Sequence, residues 1–516
     1  MIDITGRELK EFLLGRGAHE LKKRYIFDDI MNYLNDDNHK VMCLYGLRRT
    51  GKTILMAQSI MELDKYDESL YVLCEENDTV GELKKHINNH KCKYIFIDEA
   101  TKLTNFINTC SILADIYTFS GKKVVMAGTD SLGFRIASKD ELFDRVILKH
   151  TTYIPYNEYN HLLGLSIDKY IQYGGTLSLE GVDYNNYRAE SSPFYEYLDG
   201  AIVENITHSL KNWDYGRKYG YLQKLHDDGD LESAIRKVVE RENRDFLAST
   251  INNNFTGEIR GSLIDLVNKH SDLDVEPLHR DELRQRTRAM LHIREPLFNK
   301  VNDDAINQII AYLIAMDVMI KGPKDGEYIF TQPGLRYYHA KVLSDALDAD
   351  EYFQKYSETD KSMIKEKLEE SVKGNLLEDI VYTQLIMKYR TADKSEYSIS
   401  KYSNNMGSEF DVVVSDFKRG RSLALEVKHS SEIDDKQVIH LKDKEFCKEF
   451  EEKYGTQIVE KAVIYNGQTK NVSGIQYMNA EEFLTNTDEI LGQMFLKKNQ
   501  TMNHAQLIDV NKSKLI

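Results

Sequence analysis

Residues 46–53 read GLRRTGKT, a G-x-x-x-x-G-K-[ST] pattern. The glycines let such a loop curl until successive backbone N–H groups face one centre, and the N-terminus of a following helix adds partial positive charge there. That is phosphate-binding geometry. The apolar run VMCLYG before it and the helical run ILMAQSIMEL after it supply the strand–loop–helix context that the pattern requires. Gly46, Leu47, Arg48, Arg49, Thr50 and Gly51 are expected to wrap the phosphates, Lys52 to reach the β- and γ-phosphates, and the Thr53 hydroxyl to ligate Mg²⁺. ATP and Mg²⁺ are the expected ligands.

A second apolar run, IFIDEA, ends in two carboxylates. Asp98, at the end of a buried strand, can hold the Mg²⁺ shell, and Glu99 beside it can polarise the attacking water. The run VVMAG leads into Thr129, Asp130 and Ser131. There a polar side chain could orient the lytic water, or simply cap a helix.

A third group lies near the other end of the chain. In LALEVK, Glu426 and Lys428 are two apart on an expected strand, so their side chains share a face. Asp411 opens DVVV on the adjoining strand, and Glu378 sits in the helical pattern GNLLEDIVYTQL. Convergence of these three carboxylates and a lysine suits metal-dependent phosphodiester cleavage. Asp411 and Glu426 would hold the metal and Lys428 would orient the nucleophile. Glu409, two residues before Asp411, competes for the acidic position. Charges two apart on a strand also occur on solvated faces.

The elements that must position these groups follow from apolar periodicity. From Arg24 to Tyr159, strands at Val41–Gly46, Ser69–Glu75, Lys93–Asp98 and Lys122–Gly128 alternate with amphipathic helices, which predicts an α/β parallel sheet. From Asn160 to Leu278, apolar residues at three-to-four spacing predict a helical lid or linker, with Trp213 in a core. Next come the basic stretch HRDELRQRTR, a helix around Asp304–Met316, and a hairpin turning at Gly322–Gly326, an order that suggests a winged-helix unit. From Tyr352 onward, helix and strand patterns form a second α/β unit.

At 516 residues the chain exceeds one hydrophobic core, so several domains are expected. A net charge of −15 confines any nucleic-acid contact to a local basic patch. Arg280, Arg284 and Arg288 would share a helical face, with Arg286 nearby, as a phosphate-gripping stripe or a solvated face. Lys321 and Lys324 on the hairpin are candidate wing contacts. The five cysteines, Cys43, Cys74, Cys92, Cys110 and Cys447, lack metal or disulfide spacing and read as buried thiols. The opening MIDITGRELKEF has no secretory pattern, and no apolar run approaches about 18 residues, so a cytoplasmic chain without a membrane role is expected.

GLRRTGKT, FIDEAT, AGTDSLGF, FDRVILKHTT and IPYNEY follow one another in an order that resembles AAA-type P-loop ATPases. That resemblance implies ATP hydrolysis and an arginine, often donated by a neighbouring subunit, for which Arg145 in FDRV is the match. A surface ion pair is the alternative for Arg145. Asp411, the Glu426-x-Lys428 pair and Glu378 resemble the motifs of the PD-(D/E)xK nuclease superfamily. The order of parts resembles bacterial and archaeal ATPases with an AAA-type module, a winged-helix-like middle and such a C-terminal domain.

The expected division is 1–165, a P-loop AAA-type domain; 166–278, a helical lid; 279–350, a winged-helix-like domain; and 351–516, an α/β restriction-endonuclease-like domain. Two functions fit. One is an ATPase coupled to a nuclease-like domain acting on or binding DNA or another nucleic acid, in a setting such as defence against mobile DNA. The other is a nucleotide-gated assembly switch, with a homo-oligomer or partner protein as its readout.

Overall fold

The computed structural model describes residues 1–104, 106, 112–129, 144–177, 197–212, 219–255, 257–269, 303–324, 326–349, 353–390 and 397–496. Six strands form the N-terminal sheet: β1 (Ile2–Thr5), β2 (Val41–Tyr45), β3 (Ser69–Leu73), β4 (Tyr94–Asp98), β5 (Lys123–Gly128) and β6 (Val146–His150). Their order is β1-β3-β4-β5-β2-β6. All neighbours run parallel except β1, which pairs antiparallel with β3.

The pattern in β2 explains this arrangement. All five of its residues are buried, with Val41, Cys43 and Tyr45 entering one apolar cluster and Met42 and Leu44 the other. A strand buried on both faces needs helices on both, which parallel crossovers supply. The sheet therefore contains the four expected strands and two more. β6 lies at the sheet edge with all five residues only partly buried, and β1 buries Ile4 alone, so neither carries a strong apolar signature.

Between the sheets the described chain is mostly helical. The longest helix there, Leu231–Asn254, is followed by Gly257–Lys269 and Asp303–Ala315. A two-stranded hairpin follows, β7 (Met319–Lys321) and β8 (Tyr328–Phe330), and then the helix Pro333–Ala346. The expectations for Trp213, Cys110 and Arg280, Arg284, Arg286 and Arg288 lie outside the described residues. Cys43, Cys74, Cys92 and Cys447 are buried free thiols. Among the described residues no helix is long and apolar enough to cross a membrane.

The C-terminal sheet contains β9 (Ser398–Ser403), β10 (Glu409–Asp416), β11 (Arg421–Lys428), β12 (Gln457–Tyr465), β13 (Lys470–Val472) and β14 (Ile475–Asn479), ordered β13-β14-β12-β11-β10-β9. β10 runs antiparallel to both β9 and β11, whereas β11 and β12 are parallel. The 33-residue helix Glu358–Arg390 covers one face, where Leu377 and Val381 share a cluster with Val412, Leu425 and Val427. Phe446 and Phe450 cover the other face over Phe410 and Ala424. The first of these cores also takes in Ile154, Tyr170, Ile251 and Tyr337, so it joins the helical segments after β6 to the C-terminal sheet.

Candidate nucleotide site and acid–lysine centre

The loop 46–53 opens at the carboxyl end of β2, between β5 and β6, where open parallel sheets place their ligands. Gly46 has φ +149°, and a Cβ there would lie 2.6 Å from Thr151 Oγ1 and 2.8 Å from the Thr152 nitrogen. Only glycine lets the main chain pass so close to β6. Thr50 closes the turn by donating to the Leu47 carbonyl at 2.9 Å. Gly51, at φ +85°, starts the helix Lys52–Leu63.

Lys52 is buried, and its ammonium donates to the carbonyls of Gly46 at 2.8 Å and Leu47 at 2.7 Å. Burial lowers its pKa to about 8, with Glu99 and Asp98 opposing the shift. The Thr53 hydroxyl donates to Asp98 Oδ2 at 2.8 Å, as does the Tyr71 hydroxyl, and Asp98 itself is only 3% exposed. An alcohol and a carboxylate are the hard oxygen donors that suit Mg²⁺, so Thr53 and Asp98 fit that ion. Glu99 follows in the left-handed region, at φ +53°, where a non-glycine residue is strained.

Arg48 pairs on the surface with Glu204, and the Arg49 carbonyl accepts from the Leu177 N–H. Asp130 and Ser131 lie outside the described residues. The Thr129 carbonyl accepts from the Asn205 side chain, which ties the end of β5 to the middle helices. Arg145 is not brought to this loop. Its carbonyl accepts from Val41 at the start of β2, and its guanidinium pairs with Asp115 at 2.9 Å, both well exposed. Five strand residues, at about 3.3 Å each, separate it from Gly46.

Sequence reasoning missed three groups here. Buried Arg24 donates to the Thr50 and Thr151 carbonyls and pairs with Glu158 at 2.8 Å, clamping the loop from outside. Tyr71 was hidden in an apolar strand. Thr152 Oγ1 accepts from the Leu47 N–H at 3.1 Å and contacts His150 Nε2 at 2.9 Å, while His150 Nδ1 contacts Asp317 just before β7. The phosphate loop and the hairpin are thereby joined through four residues. None of these positions carries a local sequence signal, because Arg24, Tyr71 and Thr152 each reach the site across a separation of over 25 residues.

In the C-terminal sheet, Lys428 donates to Asp411 Oδ2 at 2.8 Å and pairs with Glu426 Oε2 at 3.0 Å. The Val427 N–H also donates to Asp411 Oδ2 at 2.8 Å. Glu378, from the long helix, reaches the group through Lys401, whose ammonium lies 3.4 Å from Glu378 Oε2 and 2.5 Å from Glu409 Oε1. The β9–β10 register shifts between Phe410 and Val413, an irregularity of the kind that re-aims side chains. Glu409 and Asp411, two apart on β10, both line one cleft of about 520 Å³.

Electrostatics here are those of acids crowded in low dielectric. Glu426 is pushed up to about 9 by burial and then by Asp411, and Glu378 to about 8 by the same two causes. For Asp411 burial acts upward, but Lys428 and Lys401 outweigh it and hold the carboxyl below its ordinary value. Lys401 was not anticipated; it lies in a polar, half-buried strand with no motif.

The expected metal pair, Asp411 and Glu426, is bridged by the Lys428 ammonium. Glu426 Oε1 is buried without a hydrogen-bond partner, yet among the described residues no group of three or more His, Cys, Asp or Glu is placed to hold a metal ion.

A family model described as an AAA domain matches residues 38–160. One described as a domain of unknown function, DUF4143, matches residues 373–483 and assigns no activity to that region. No curated protein matches the chain. Similar solved structures include PCH-2 of C. elegans, at 17% identity and TM-score 0.21, covering 40% of this chain and 58% of that one. The chain thus spans little more than half of PCH-2.

The Aeropyrum pernix Orc1 protein, solved in complex with DNA, is 12% identical at TM-score 0.25, with 63% and 93% coverage. Cdc6p from Pyrobaculum aerophilum is 12% identical at TM-score 0.21, with 66% and 96% coverage. Likenesses this weak say nothing about activity here. The AAA-domain match and the parallel-dominated sheet together are consistent with a P-loop AAA fold that binds nucleotide.

Proposed function

We propose that the chain is a Mg²⁺-dependent ATPase of the AAA type whose nucleotide cycle controls a C-terminal, PD-(D/E)xK-like domain that acts on or binds nucleic acid. Segments 1–165, 166–278, 279–350 and 351–516 would serve as ATPase, helical lid, winged-helix-like and nuclease-like units. The observation that carries the ATPase reading is the Thr53–Asp98 hydrogen bond beside a buried Lys52. Lys52 exchanges the Gly46 and Leu47 carbonyls for the β- and γ-phosphates, while loop N–H groups hold the remaining phosphate oxygens. Thr53 and Asp98 would hold Mg²⁺, which would neutralise charge on the phosphates. Glu99 orients and polarises water.

Support for the nuclease-like reading is the meeting of Asp411, Glu426 and Lys428 within 3.0 Å contacts, with Glu378 joined through Lys401. Support for coupling is the path Leu47–Thr152–His150–Asp317 into the hairpin whose Lys324 reaches Glu409 at 3.9 Å. A second reading, a switch that binds without cutting, is favoured by the ammonium that closes Asp411 onto Glu426.

The test is cleavage of supercoiled and single-stranded DNA by wild type and Lys428→Ala, with and without ATP and magnesium. ATP-dependent nicking by wild type alone supports the nuclease-like reading. Hydrolysis of ATP with no nicking by either protein supports the switch.

A further inference from the structure

The centre contains two lysines, and they face different ways. Lys428 spends its contacts on Asp411 and Glu426, and neither Glu426 nor Lys428 lines the 520 Å³ cleft. Lys401 does line it, beside Asp411, Glu378 and Glu409. Lys401 is well buried, with its side chain 16% exposed, and is fixed by Glu409 at 2.5 Å and Glu378 at 3.4 Å. An ammonium has three donors, and these two carboxylates account for two.

The other cations on the cleft are placed differently. Arg336 is held by Asp379 at 2.6 Å and by the Tyr328 carbonyl. Lys324 sits on the hairpin tip with its side chain 62% exposed, too loosely held to fix a position beside Asp411. Among the described residues Lys401 alone combines a rigid seat with a place beside Asp411 on the cleft lining.

Resting on the nuclease-like reading, we infer that Lys401 is the residue that contacts a phosphate of a nucleic-acid strand in this cleft, and that Lys428 acts as a positioning residue for Asp411. A fixed ammonium at that point offers a charge-assisted hydrogen bond to a phosphate oxygen. Lys428 instead sets the direction of the Asp411 carboxylate, together with the Val427 N–H.

The experiment measures anisotropy of a fluorescein-labelled single-stranded oligonucleotide, as DNA and as RNA, against the full chain. Calcium replaces magnesium to suppress cleavage, and affinity is taken across a salt series. Lys401→Met combined with Glu409→Gln removes the ammonium together with the partly exposed carboxylate closest to it; Lys401→Arg preserves the charge; Lys428→Met is the contrast. Hydrogen exchange of β10 and β11 in each variant reports that the C-terminal sheet is folded.

The expected result is an affinity loss of about tenfold for the double variant, with a salt slope smaller by roughly 0.7, the share of one phosphate on a single strand. Lys401→Arg should restore both, and Lys428→Met should keep the wild-type slope. Loss of the slope on Lys428→Met, with the double variant unchanged, would overturn the assignment. Wild type that binds the strand in calcium but never cuts it when magnesium is restored defeats the nuclease-like reading, while the slopes still decide the role of Lys401. Wild type that binds neither DNA nor RNA defeats both.

Discussion

The two charged sites solve the same problem in opposite ways. In the nucleotide site, Lys52 rests on neutral carbonyls and Asp98 on neutral hydroxyls, so no contact there is stronger than a phosphate or a cation would make. In the C-terminal centre, Lys428 and Lys401 rest on carboxylates, and two of the acids keep protons near neutrality. A ligand entering the first exchanges dipoles for charges. In the second the lysines are already seated on acids, so the two sites differ in what an incoming group would have to displace.

The comparison predicts its own largest effect. Lys52→Ala should lower ATP affinity by about a hundredfold or more, because nothing else buried in the loop carries positive charge to the β- and γ-phosphates; titration calorimetry reads this directly. Retained affinity would remove the contrast. Gly46→Ala comes next, costing about 2–3 kcal/mol from the clash with Thr151 and Thr152, and should lower both the melting temperature and nucleotide affinity.

The second region yields a pH signature. Folded, Glu426 keeps its proton to about pH 9, against an ordinary 4.5. Between those values the unfolded chain binds fewer protons than the folded one, so this group makes stability fall as pH rises. Glu426→Gln removes that fall. Its stability relative to wild type should rise by at least about 1 kcal/mol as pH moves from 4.5 toward 9, followed by denaturant melts. A constant difference across that range would mean that Glu426 is not held protonated.

Much of the first site was legible because its chemistry lies on consecutive residues. GLRRTGKT and IFIDEA each place ligand groups at the end of a buried run, so strand, loop and helix could be assigned with the chemistry. Arg24 and Thr152 were not legible, because they reach the loop only after β6 and the segment following it have folded against β2. In the second region, Glu426 and Lys428 share a face by simple alternation, but Lys401 depends on the β9–β10 register, which local spacing does not encode. Spacing likewise shows which groups meet but not which charge lies between them, as the Lys428 ammonium does between Asp411 and Glu426.

Smaller effects test the link between the regions. His150→Ala breaks the contacts from Thr152 to Asp317, and should leave ATP hydrolysis within about threefold of wild type. It should also abolish any ATP-dependent change in hydrogen exchange of β9 and β10, and a preserved change would place the coupling elsewhere. Arg145→Ala should cost under about 1 kcal/mol, since it removes one exposed ion pair, and should leave nucleotide affinity unchanged. A fall in hydrolysis that deepens with protein concentration would assign Arg145 to a neighbouring copy.

The most direct measurement is steady-state ATP hydrolysis by wild type and Glu99→Gln, with magnesium and then with EDTA, alongside ATP affinity for both proteins. The account predicts magnesium-dependent turnover by wild type, and tight binding with turnover lowered by about a hundredfold or more in the variant. Equal turnover by the two proteins, or wild type that binds ATP and never hydrolyses it, would contradict the assignment of this site as an ATPase centre.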